Sequence, residues 1–423
     1  VRSEPRLPAA LEPGLRWLEA RTSKSRNYLY GVINGCFGFV GDGFWSPIVL
    51  SSFAATLGAP NAVIGLIPAI QSGGWLLPQL VVASRVRHLP RKIVVYRSAV
   101  WARTLSYAWI VATSVLLAGL PEALLGAFLL GLLVNALSTG IAGLPFMEIV
   151  AKIVPPRERA AFFGVRLLLG GLLALAVSVA VRALLGAGWS FPLAYTVIFA
   201  LGTLFYSAGY ATFALVDEPP DAPQPRASFR ADVRGIPAML REDRAFAAFL
   251  MFRLCLTVAA LADPFYTVYA IRVIGVEGAT VGSFLVALGV LGPLSNALWS
   301  RVATRFGSRR VLRWGLGFAL LAPVVALLMP EGAGFWFFAV YALSNLGGTA
   351  INLANTNYLL GIAPDAARGR AIGVVNTVVG LVSFAAVLGG VIADRVGYVG
   401  LFALGAGLYA LSWALAGGLR RDL

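Results

Sequence analysis

Cysteine and histidine are almost missing from this chain, with two of the first and one of the second among 423 residues. That excludes a disulfide framework and a zinc constellation. Cys36 and Cys255 fall inside long apolar stretches and are not expected to pair. The lone histidine, His88, sits in a basic loop and reads as a solvated residue rather than a proton relay. Charge of either sign is scarce, at 13% against about 25% in a soluble domain. Acids are the scarcer sign, 19 against 34 Lys and Arg. No G-x-x-x-x-G-K-[ST] loop is present, which argues against ATP as a direct energy source. No nucleophile or metal constellation is read, so neither a cofactor nor an enzyme activity is expected.

What remains is apolar. Hydrophobic residues make up 59% of the chain and the mean hydropathy is +0.81, more apolar surface than a soluble core of this size can use. The class is an all-α polytopic membrane protein, with the lipid bilayer as its first partner. A net charge of +15 invites nucleic acid as another, but the distribution argues otherwise. Of the 34 Lys and Arg, 29 lie in alternate connections, while the intervening ones, such as GAPNA at 58–62 and MPEGAG at 329–334, are short and nearly uncharged. This is the positive-inside pattern of a multi-pass cell-membrane protein with both termini in the cytoplasm. Nucleic acid is therefore not a partner, and a monomer is expected. The first 27 residues are polar and basic and predict no cleavable signal.

Apolar runs of about 20 residues cross roughly 30 Å of hydrocarbon. They predict spans at 28–57, 61–83, 93–118, 121–152, 160–185 and 189–216, then at 245–273, 278–300, 310–329, 334–362, 369–393 and 397–418. The expected organisation is a cytoplasmic segment (1–27), a six-helix bundle (28–216), a cytoplasmic linker (217–244) and a second six-helix bundle (245–418). Amphipathic surface helices or simple tethers are equally open for 9–22 and for the end of the linker.

The two halves share landmarks. Pro47 and Pro264 are 217 residues apart, as are Gly65 and Gly282. Pro155 and Pro364 are 209 apart, as are Gly164 and Gly373. Four landmarks in one order predict a duplication, with twelve transmembrane helices arranged as two bundles about a pseudo-two-fold axis.

Residues 304–310, TRFGSRR, carry Arg305, Gly307, Arg309 and Arg310. They resemble the G-x-x-x-D-R-x-G-R-R signature of the major facilitator superfamily, with Thr304 at the acid and Ser300 at the first glycine. Ser84, Arg85, Arg91 and Lys92 form a poorer first copy. The resemblance covers 28–418 and implies a carrier whose signature loops gate the cytoplasmic side. Arg85, Arg91, Arg305, Arg309 and Arg310 are the candidate gate residues, with Glu148 (or Glu158) supplying the missing acid.

Two carboxylates, Asp42 and Asp263, lie deep in apolar spans, where a charge costs at least roughly 2.5–3.5 kcal/mol. They are pseudo-equivalent, one helical turn apart on the repeat register. The expectation is proton coupling by both at a shared central cavity. The alternative is a fixed pairing with Arg103 or Arg253, themselves candidates for contact with an anionic solute. Asn345, Thr349, Asn352 and Thr356 make a polar stripe at spacings of 4, 3 and 4, with Asn135 and Ser138 at a similar level in the fourth span. Gln71, Trp75 and Gln79 make another stripe. With Phe44, Trp45, Tyr266 and Tyr269 these residues form the candidate solute site, or else pack helix to helix. The expected activity is secondary active transport of a small amphipathic organic solute by alternating access, with protons as the coupling ion and a leaning to efflux. Uptake of a sugar or organic anion, carriage of a lipid-like cargo, and a non-transporting sensor or scaffold remain the alternatives.

Overall fold

The computed structural model describes residues 25–86, 88–221, 236–330, 332–362 and 368–420. Residues 9–22, the proline-rich stretch 222–235, Pro364 and Arg421 lie outside these. The regular structure among the described residues is helical throughout. The helices are α1 (Arg26–Phe44), α2 (Pro47–Thr56), α3 (Asn61–Leu76), α4 (Gln79–Val86), α5 (Ile93–Leu116), α6 (Pro121–Ile153), α7 (Arg159–Leu185) and α8 (Leu193–Ala214). A short α9 (Ile236–Glu242) leads to α10 (Arg244–Ala259), α11 (Phe265–Arg272), α12 (Gly278–Phe306), α13 (Ser308–Leu328), α14 (Phe338–Ile362), α15 (Arg368–Ser383) and α16 (Ala386–Gly418). Eight of the described helical stretches are long and apolar enough to cross a membrane.

Several predicted spans are interrupted, each for a local reason. The first breaks at Trp45–Ser46 because Pro47 opens α2, with Ser46 Oγ capping Val49 N–H. The seventh breaks at Pro264, which has no N–H to continue the ladder, so a 3-10 turn over Ala260–Ala262 bridges α10 and α11. The second breaks before Gln79, at Pro78. Conversely, α16 bends at Gly397, whose φ of 83° only glycine adopts readily. The eighth predicted span runs on to Phe306, past its expected end at 300. It stops at the signature glycine Gly307, φ 79°.

In the first half α1 packs on α7 and α8, α5 on α6 and α8, and α3 on α6; in the second, α13 packs on α14 and α16, and α12 on α14. Two seams join these sets. Along the first, α3 crosses α15 and α16: a Cβ on Gly65 would fall 2.5 Å from Ala386 O, one on Gly73 2.6 Å from the Phe384 ring, and one on Gly390 2.3 Å from Ala62 Cα. Along the second, α7 meets α12, where a Cβ on Gly282 would fall 2.4 Å from Arg182 Cα. Gly65 and Gly282, the pair 217 residues apart, thus sit one in each seam. Small residues allow this approach because lipid supplies no hydrophobic drive between helices.

The sets also meet where α2 packs on α11. There Asn61 is the hub of a polar cluster. Its Nδ2 donates to Asp394 Oδ1 at 2.7 Å, and its Oδ1 accepts from Arg272 Nη1 at 3.0 Å and Tyr398 Oη at 2.8 Å. Arg272 Nη2 also donates to Ala59 O at 2.7 Å. Arg272 therefore crosses between the sets rather than reaching for the membrane surface.

Gly390→Val places a side chain against backbone that cannot yield. A loss of about 1–3 kcal/mol is expected, read as a lower thermal midpoint of the purified protein in detergent. Gly317→Ala, at a helical glycine with nothing within 4 Å, is expected to leave the midpoint unchanged or slightly raised. Equal losses in both variants would remove the seam from the account.

Candidate functional site

A cavity of about 1140 Å³ lies between the two sets of helices. Its walls differ in chemistry. Residues from the first half are largely apolar, such as Ile48, Ile67, Pro68, Trp75 and Met147. The second half contributes Arg253, Thr257, Asp263, Thr267, Asn345 and Asn352. Helical spacing explains this wall: Arg253, Thr257 and Ala260 share one face of the α10 segment, and Tyr341, Asn345, Gly348, Asn352 and Thr356 share one face of α14. The polar stripe is therefore real, with Gly348 rather than Thr349 on the cavity.

Asp263 sits at the Pro264 break and lines the cavity. Tyr409 Oη donates to its Oδ2 at 2.9 Å from α16, and the buried Tyr266 ring lines the wall beside it. Asp42 is paired in a similar way, accepting from Tyr206 Oη of α8. Each carboxylate is thus held by a tyrosine of the last long helix in its own half. Sequence reading missed both tyrosines, because sites 164 and 146 residues apart leave no local pattern.

The surroundings of the two acids differ. Asp42 is exposed, yet it is not among the residues lining this cavity, contrary to the expectation of a shared central position. The α1 helix turns it toward α8, where Tyr206 stacks on Tyr107 and Tyr210 at ring separations of 5.1 and 5.4 Å. Arg103 closes this cluster, with Nη2 donating to Tyr210 Oη at 2.5 Å and its guanidinium 3.6 Å from that ring centre. Arg103 therefore lies in a tyrosine cage. Arg253, by contrast, lines the cavity. Among the described residues no acid lies within ion-pair distance of either arginine, so the fixed Asp–Arg pair is not the arrangement found.

Several other predicted solute contacts pack instead. Phe44 stacks on Phe205, and Trp45 on Phe199. Tyr269 packs edge-on to Tyr398 and Phe402. Asn135 Nδ2 donates to Ser106 Oγ at 3.2 Å, and Ser138 Oγ to Val134 O within its own helix. Gln71 does not line the cavity. Gln79 Oε1 accepts from Asn376 Nδ2 at 2.8 Å across the first seam. Bulky aromatic side chains in the first half find other rings to bury against, which leaves Trp75 from that set on the cavity.

Among the described residues, the signature arginines contact their own half. Arg309 donates to Ala416 O and Gly417 O at the end of α16, and Arg97 donates to Ala214 O at the end of α8 at 2.8 Å. Each ties down the last carbonyls of a helix. Arg305 lies 5.3 Å from the Phe306 ring, while Arg85, Arg91 and Arg310 are exposed.

The acids that serve this basic end come from a stretch read as linker. Glu218, almost fully buried, accepts from Lys152 Nζ at 2.5 Å through Oε1 and from Ile93 N–H at 2.6 Å through Oε2, capping α5. Asp221 pairs with Lys92, and with Lys152 at 2.7 Å. Glu148 lies 3.8 Å from Lys92. Asn27 and Asp217 exchange two hydrogen bonds at 2.8 and 3.1 Å. Residues 217–221 are therefore docked on the first half as a clasp. Partial burial pushes the Asp221 carboxyl up, but hydrogen bonds and charge from Lys152 and Lys92 outweigh it and hold the group below its ordinary value.

Residues 260–422 match the sequence pattern of the Major Facilitator Superfamily. That match lies within the second half of the chain. Its fold matches a D-xylose-proton symporter (TM-score 0.69, 14% identity, 94% of this chain and 97% of that one). It also matches the nucleoside transporter NupG (TM-score 0.65, 14% identity, 93% and 98%). A bacterial homologue of the iron transporter ferroportin matches in its inward-facing state with TM-score 0.67, 15% identity and coverage of 93% and 98%. In an outward-facing state that homologue matches at 0.58. At these identities the likeness is one of fold. A comparison with curated proteins by sequence finds no match.

The clasp carries a pH signature. With the folded carboxyl below its unfolded value, Asp221 stabilises the protein above the ordinary aspartate range and loses that contribution as pH falls through the folded value. The thermal midpoint of Asp221→Asn is expected to lie below that of the parent at neutral pH and to converge with it as pH falls below the ordinary aspartate range. A gap that persists in acid would assign the loss to packing instead.

Proposed function

We propose that this chain is a member of the Major Facilitator Superfamily and a secondary active transporter. It has twelve spans in two six-helix halves and moves a small organic solute by alternating access. The observation that carries this reading is the cavity between the halves, polar on one wall and holding a tyrosine-bound carboxylate, with the Asn61 cluster joining the two sets of helices beyond it. The packing of α2 on α11 joins them as well. The better match to the inward-facing ferroportin homologue supports an opening at the basic end, which the positive-inside pattern assigns to the cytoplasm. The recurrences support the two halves: a glycine in each seam, an arginine on each terminal helix end, and a tyrosine on each carboxylate.

Asp263 is the proton-carrying group in this reading, because it meets the cavity and changes its surroundings when the halves rock. Asp42 organises the tyrosine cage with Arg103. The cavity sets a largely apolar first-half wall against a second-half wall that carries Arg253, Asp263, Asn345, Asn352 and Asn376, which suits a solute with both a polar and an apolar part.

In proteoliposomes loaded with a pH-sensitive dye, a panel containing lactate, a pentose and a nucleoside is expected to include a solute whose addition drives proton movement. Asp263→Asn is expected to reduce that movement roughly tenfold or more, and Asp42→Asn to leave most of it. Equal loss in both would return the coupling role to the pair, and full activity in Asp263→Asn would remove it from Asp263.

A further inference from the structure

The Arg253 guanidinium faces the cavity, and no hydrogen bond or ion pair reaches it from the described residues. Its position ten residues before Asp263, about 15 Å along a helix at 1.5 Å per residue, keeps the two from neutralising each other by contact. An unpaired guanidinium within a membrane-spanning bundle is costly, and it presents five donors in a fork shaped for paired anionic oxygens. A second observation lies on the same wall. Asn345 Oδ1 is buried and has no hydrogen-bond partner among the described residues, although Asn345 lines the cavity. Buried polar atoms left open in this way mark the place of a bound polar group.

We infer that the solute is an organic anion, a carboxylate or phosphate ester bearing at least one hydroxyl or amide donor, whose charged head is held by Arg253 while its donor satisfies Asn345. This assignment rests on the transporter reading and extends it to the cargo and the coupling ratio. The titratable groups on the cavity wall are Arg253, Asp263, Tyr266, Tyr341 and Tyr409. With the tyrosines neutral, the empty cavity carries one positive and one negative charge and is neutral overall. A bound anion alone leaves a net charge of minus one, and a proton on Asp263 alone leaves plus one. Only the empty state and the state holding both anion and proton are neutral, and these cross the low-dielectric interior most readily. The consequence is symport of one proton with each monoanion, without net charge movement.

The test begins with thermal shifts of the purified protein against lactate, succinate and glycerol 3-phosphate, with methyl lactate, lactamide and glycerol as uncharged counterparts. At least one anion is expected to raise the midpoint while its uncharged counterpart does not. Arg253→Gln is expected to weaken that anion at least tenfold, and Arg253→Lys, which keeps charge without the fork, to weaken it less. The comparison of lactate with methyl lactate needs no variant and stands if Arg253→Gln fails to fold. In proteoliposomes the anion is expected to move with a proton and without electrical current, and Asp263→Asn to bind it but carry it electrogenically. Binding of uncharged solutes, equal anion binding by Arg253→Gln, or no anion binding across the panel would overturn the assignment. Anion binding that depends on Arg253 without any flux would uphold the site and overturn transport. Proton-coupled flux of a neutral solute would uphold transport and overturn the anion site.

Discussion

Everything in this protein is arranged around two seams where helices approach almost to backbone contact. In hydrocarbon, apolar side chains gain nothing by leaving lipid for one another, so the halves adhere through tight packing and a handful of polar bonds. Glycine is what permits that approach at Gly65, Gly73 and Gly390 on one side and Gly282 on the other. Because the seams are confined to α3 with α15 and α16 on one side and α7 with α12 on the other, the space between them stays open, and the cavity is the volume that the seams leave unfilled.

Within that frame, one local unit is used twice and put to different ends. An aspartate in the first span of each half accepts a hydrogen bond from a tyrosine in the last. In the first half the tyrosine belongs to a stacked cluster that also absorbs Arg103, and the charges become part of the packing. In the second half the proline break turns the aspartate onto the cavity, and Arg253 stands free on the same wall. The aspartate–tyrosine unit is alike in the two places, and its neighbours set the surroundings apart.

Much of the architecture was legible in the sequence because membrane burial imposes long apolar runs and because the repeat fixed a register. Asp263, Arg253, Trp75, Tyr266, Asn345, Asn352 and Thr356 were all read as candidates and all line the cavity. Phe44, Trp45 and Tyr269, read as solute contacts or packing, pack against other rings, and sequence alone does not choose: an aromatic side chain in a membrane helix satisfies lipid, a neighbouring ring or a solute equally well. Thr349 shows the limit of helical spacing, since a rotation of one residue puts Gly348 on the cavity instead. Tyr206, Tyr409 and Asn61 escaped notice because their partners lie far away in sequence. Glu218 and Asp221 escaped because a proline-rich acidic stretch looks like a tether until its lysine partners are placed beside it.

The Asn61 cluster has a further consequence for how the two sets of helices part there. One amide receives or gives three hydrogen bonds shared with two helices, α11 and α16, so lifting Asn61 away breaks them together. At about 1 kcal/mol each, their joint loss of roughly 3 kcal/mol disfavours an open junction by about two powers of ten. Partial opening saves little of that energy, which makes the event cooperative and complete when it occurs. A half-open junction is the state through which ions leak, and gathering the bonds on a single residue keeps that state thinly populated.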